Sequence, residues 1–96
     1  MSTQLERLRA LEPELRRRGV GALYLFGSTA RGEATLESDV DLFFDDEPNA
    51  RLSLLDVIGI QHLLEEVLGR KVDLMTRDSL HPLLRADIES EAVAVF

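Results

Sequence analysis

This 96-residue chain has no cysteine, only three prolines and a single tyrosine. Without cysteine nothing argues for disulfides or secretion. Basic residues are also scarce: 11 Lys and Arg stand against 18 Asp and Glu, a net charge of −7. That balance argues against a protein whose task is to grip nucleic acid through its phosphates, so no direct nucleic-acid partner is expected. Long apolar runs are missing as well. No window nears the roughly 20 residues of a membrane span. The N-terminal stretch carries charge from Glu6 onward and has no apolar signal-type core, so no membrane partner is expected and the cytoplasm is the default location.

What remains, 45% hydrophobic and 30% charged, fits an ordinary globular protein. The length fits one small domain over 1–96, close to the size at which a core becomes self-sufficient, so a function that needs a second lobe must borrow it. Charge is unevenly placed. Residues 33–47 carry Glu33, Glu37, Asp39, Asp41, Asp45, Asp46 and Glu47 with no base, while Arg16, Arg17 and Arg18 sit together upstream.

Leu5, Leu8, Leu11 and Leu15 recur at helical spacing, with Pro13 predicting a break near Leu11 and Glu12 and the arginine triplet suiting the dipole of the last turn. Residues 22–26 read as a buried strand that ends at Gly27-Ser28, followed by one or two helical turns up to Gly32. Strand, glycine-serine, helix start is a geometry that aims backbone N–H groups at an anion. Residues 39–44 form a second strand, with Asp45–Asn49 as a turn. Strand alternation sends Asp39 and Asp41 to one face. Ser53 and Asp56 have the form of a capping box before the longest helix, which runs to about residue 68 and stops at Gly69. Val72 to Met75 is a third strand bearing Asp73. Ser79 or Asp78 can cap a last helix with Pro82 in its first turn. The apolar end, 92–96, reads as a short strand or a tail. His62 reads as a surface or partly buried residue of the longest helix, and His81 as a surface residue at a helix start.

Two aspartates at i and i+2 on one strand can hold a divalent metal, and a third acid from a neighbouring strand can complete a site for in-line phosphoryl or nucleotidyl transfer. Asp39, Asp41 and Asp73 have that arrangement if the third strand lies beside the second. Carboxylate oxygens are hard ligands, so magnesium or manganese is expected and zinc is not. Ser28 and nearby N–H groups would hold the phosphates. Each aspartate alone is better explained as an edge-strand or turn residue facing water; their coincidence with the glycine-serine turn is harder to dismiss.

Gly27-Ser28-Thr29-Ala30-Arg31-Gly32, then Ser38-Asp39-Val40-Asp41-Leu42, then Val72-Asp73-Leu74 resembles the nucleotidyltransferase family related to DNA polymerase beta, in its minimal form. The resemblance implies an α/β fold, a small mixed sheet with helices packed on one side. It implies Gly27, Ser28 and Arg31 as nucleotide-binding residues, with Asp39, Asp41 and Asp73 catalytic and metal-binding. ATP is the implied substrate and Mg2+ or Mn2+ the implied metal. Minimal members are paired with HEPN-type RNase toxins as antitoxins, and some transfer AMP to that partner, so a hetero-oligomer with such a toxin is implied. Two other readings stand beside this one: an antitoxin that neutralises by binding alone, and a small-molecule transferase of the aminoglycoside type, which the missing second lobe disfavours.

Overall fold

A computed structural model describes residues 3–30 and 39–96. Helix α1 (Thr3–Ala10) and helix α2 (Glu12–Arg17) are separated at Leu11, with Pro13 in the first turn of α2, where its missing N–H costs nothing. The expected break is therefore there. Arg16 pairs with Glu12 at 2.7 Å and Arg18 with Glu14 at 3.0 Å, so the arginine triplet is spent on helix-surface ion pairs.

The sheet follows: β1 (Val20–Phe26), β2 (Val40–Asp46), β3 (Val72–Thr76) and β4 (Val93–Ala94), in spatial order β3-β2-β1-β4. β1 runs antiparallel to β2 and β4, whereas β2 and β3 are parallel. Helix α3 (Gly27–Ala30) continues directly from β1, and α4 (Leu54–Leu68) makes the crossover that a parallel pair requires. Ser53 caps α4 reciprocally with Asp56, and Gly69 ends it in the left-handed conformation. A 3-10 turn (Arg77–Ser79) and helix α5 (Arg85–Glu91) lead into β4.

Strand alternation divides the core in two. Leu23, Leu25, Val40, Leu42, Phe44, Val72 and Leu74 face α1, α2 and α4, and meet Leu8, Leu15, Ile60, Leu64 and Leu68 there. On the other face, Phe26, Phe43 and Leu80 form a second buried cluster, flanked by Tyr24, Met75 and, from α5, Ile88.

Two expectations need correction. Asp45 and Asp46 belong to β2, paired with Ala22 and Val20, rather than to a turn. The last helix begins at Arg85 and not at a cap near Ser79, because Leu80 is buried in the second cluster and the chain turns through His81 to Leu84 first. Among the described residues no helix is long and apolar enough to cross a membrane.

Candidate active site

The second face carries the acids. Phe26 on β1 pairs with Asp41 on β2, and Asp41 with Asp73 on β3, so the three form one row across the sheet. Asp39 lies two residues before Asp41, where β2 begins, and both Asp39 and Asp73 are exposed to solvent. The strand adjacency on which the three-acid reading depended is therefore present. Among the described residues no group of three or more His, Cys, Asp or Glu side chains is drawn together tightly enough to form a ligand cluster. Two carboxylates share a row; the third begins the next.

Gly27 closes this row on the β1 side. Its φ of +74° is one that L side chains rarely adopt, and a Cβ there would collide with the Asp41 carboxylate, with the Asp41 Cγ at 3.3 Å. The φ favours glycine, and the contact brings the start of α3 against an acid of the row, which would have to shift to admit a Cβ. Ser28 is placed by its backbone in the first turn of α3. Arg31 lies outside the described residues.

Behind the acid row is an aromatic one. Tyr24 stacks on Phe43 with ring centroids 4.8 Å apart, and Phe26 meets Phe43 at 5.7 Å. Arg77 lies over both Tyr24 and Phe43, at 5.0 and 5.1 Å from the ring centroids. Its guanidinium donates to the two Asp45 oxygens at 2.8 and 2.9 Å and also to Glu89 on α5. Those hydrogen bonds, to Asp45 first and Glu89 second, push the Arg77 pKa upward. Sequence reasoning missed this hub because Asp45 was assigned to a turn. Continuing the alternation of 39, 41 and 43 to 45 would have placed it on the same face.

A concavity of about 480 Å³ lies elsewhere, between Arg17, Gly19, Arg51, Leu55 and Gly59. Its carboxylate, Asp56, is committed to the Ser53 cap, so this groove offers no acid pair.

A glycine-started turn against a cross-strand carboxylate pair is suited to holding an anion beside a hard cation. The nucleotidyltransferase domain model matches residues 6–95. The chain belongs to that family. Among relatives of this nucleotidyltransferase domain, the protein adenylyltransferase MntA of Thermococcus cleftensis is 42% identical over 89 residues, covering 92% of this chain and 88% of the relative. A solved minimal nucleotidyltransferase superposes with a TM-score of 0.78 at 36% identity, covering 92% of this chain and 88% of that one. A chain of the complex between tri-AMPylated Shewanella oneidensis HEPN toxin and its MNT antitoxin shares the fold with a TM-score of 0.70 at 19% identity, covering 98% of this chain and 72% of that one. The mixed α/β fold expected from the sequence is the fold found, although helices lie on both faces of the sheet and not on one, since α5 packs on the second face through Ile88.

The donor set also fits the expected metal. Asp39, Asp41 and Asp73 offer only carboxylate oxygens, the ligands that magnesium and manganese prefer. The missing side chain at Gly27 is what lets the Asp41 carboxylate lie directly against the start of α3.

Proposed function

We propose that this nucleotidyltransferase domain is a protein adenylyltransferase that moves AMP from ATP to a partner protein, and that the partner is a HEPN-type toxin which it silences as antitoxin. The observation that carries the reading is the Asp41–Asp73 cross-strand pair with Gly27 closed against it. The 42% identity to a protein adenylyltransferase supports the class of reaction, and the shared fold with an MNT antitoxin chain supports the class of partner.

In this reading the backbone N–H groups at Gly27 and Ser28 donate to the triphosphate, Arg31 adds a cation there, and Asp39, Asp41 and Asp73 hold magnesium or manganese. A bound divalent ion supplies neutralisation of the phosphate charge and lowers the pKa of the entering hydroxyl. The acceptor hydroxyl oxygen forms a bond to the α-phosphorus, the bond from that phosphorus to the bridging oxygen breaks, pyrophosphate leaves, and the hydroxyl proton passes to solvent. The chain acts as one domain over 1–96, in the cytoplasm, in a hetero-oligomer with the toxin.

The test is labelling of the purified partner with α-labelled ATP and magnesium. Asp39→Asn and Asp41→Asn should each abolish labelling while the circular dichroism spectrum is kept. Survival of labelling in both variants would sink the metal-site assignment. Neutralisation of the toxin with no labelling at all would replace catalysis by binding as the mode of action.

A further inference from the structure

Lys71 lies on the acid face and has no part in the site as described so far. Its carbonyl accepts from the Val40 N–H at 2.9 Å, so the parallel pairing of β2 and β3 continues one residue before the Val40–Val72 register. Val72 and Leu74 are buried in the main core, and alternation places Lys71 with Asp73 and Met75 on the opposite face. Extending the Val40–Val72 register by one residue sets Lys71 opposite Asp39, and its side chain is exposed. Among the described residues, the arginines that accompany this face of the sheet are committed elsewhere: Arg77 to Asp45 and Glu89, and Arg85 toward Asp78 and Glu89.

The order of groups across the sheet gives that position a meaning. Gly27 ends β1, Asp41 is on β2, Asp73 is on β3, and β3 is the edge of the sheet. At a strand spacing of about 4.8 Å, the distance from the Gly27 turn to the β3 edge is about 10 Å. An in-line displacement sets the leaving group and the entering oxygen on opposite sides of the phosphorus. With pyrophosphate at the Gly27-Ser28 turn, the entering hydroxyl comes over the β3 edge and the α-phosphate lies between, above Asp41 and Asp73. Three carboxylates and a polyphosphate crowd negative charge at that point, and a fixed cation is the usual device for offsetting it.

We propose that Lys71 binds the α-phosphate on the acceptor side of the site, separately from the Gly27 turn that takes the pyrophosphate. The proposal rests on the nucleotidyl-transfer reading above. A lysine on an edge strand also discourages edge-to-edge pairing. That role needs only a charge near the edge and gives no preference between one fragment of the nucleotide and another.

The experiment is an equilibrium NMR titration of the whole chain, in magnesium, with AMP and separately with pyrophosphate, for the parent, Lys71→Gln and Lys71→Arg. Because Lys71 is exposed, all three should fold alike, which their amide spectra report directly. Lys71→Gln should bind AMP about tenfold more weakly, the loss of one charge-assisted contact, with pyrophosphate affinity unchanged. Lys71→Arg should restore most of the AMP affinity. Equal losses for both ligands would overturn the proposal in favour of a general field effect, and so would no loss for either. If the parent binds neither AMP nor pyrophosphate, the nucleotidyl-transfer reading fails along with it.

Discussion

Gly27 illustrates how a single atom can be disfavoured by backbone conformation and by a neighbouring carboxylate together. Its left-handed φ costs an L residue about 1–2 kcal/mol, and a Cβ would also push the Asp41 carboxylate away from the row it shares with Asp73. Gly27→Ala should therefore lower the melting temperature only modestly while reducing partner labelling about a hundredfold, the loss that a displacement of about 1 Å can bring in a catalytic constellation. A parallel thermal melt and labelling assay separates the two effects. A variant that labels at the parental rate would show that Asp41 tolerates the move. The sequence made this residue legible as a turn glycine ending a strand. The collision with Asp41 was not legible, because it depends on the β1–β2 register, which the periodicity of either strand alone leaves open.

Among the elements, α4 was the most legible, since its start and stop are written in local chemistry. The Ser53 hydroxyl accepts from the Asp56 N–H at 3.2 Å, and the Asp56 carboxylate accepts from the Ser53 N–H at 2.9 Å. Ser53→Ala should cost about 1 kcal/mol in urea denaturation. The bonds from Ser53, its backbone first and its side chain second, hold the Asp56 carboxyl below its usual range. Because the folded value is the lower one, the stabilisation is present above the usual aspartate pKa and is lost as pH falls through the depressed value. Glu14, lowered by hydrogen bonds from Arg17 and then Arg18, behaves in the same direction. Asp56→Asn should accordingly show a weaker loss of stability on acidification than the parent, as followed by denaturant midpoints across pH. Helix α5 was less legible because what fixes it is distant in sequence. Glu89 meets Arg77 twelve residues earlier, and Arg77 meets Asp45 thirty-two residues earlier. Arg77→Met should release this link at a cost of about 2 kcal/mol, discounted because the partners are partly exposed, and amide exchange in α5 should rise more than in α4.

For the molecule as a whole, the balance is set by size. Phe44 is fully buried between the sheet and α4, and Phe44→Ala should cost about 3–5 kcal/mol. A chain of this length has about 5–14 kcal/mol in total, so the variant should sit near its unfolding midpoint at modest urea concentrations. A midpoint close to the parental value would mean that the core repacks around the cavity. The two-sided sheet was only half legible at this scale. The face toward α1, α2 and α4 announces itself by alternation, whereas the second face mixes aspartates with aromatics and reads from sequence as polar. Its aromatic row becomes a core only when Ile88 and Leu80 close over it.

The parallel pairing of β2 with β3 also dictates an order of assembly. Antiparallel β1 and β2 can meet early, bringing Gly27 to Asp41, but Asp73 joins them only after the α4 crossover has closed and docked. Non-local parallel pairing pays its loop-closure entropy before any contact rewards it, and so belongs late in folding. A nascent chain would thus carry its acidic β2 strand for some time before the third aspartate arrives. Competence to bind a nucleotide should then appear in refolding with the slow phase that reports β3, behind the burst of helix signal.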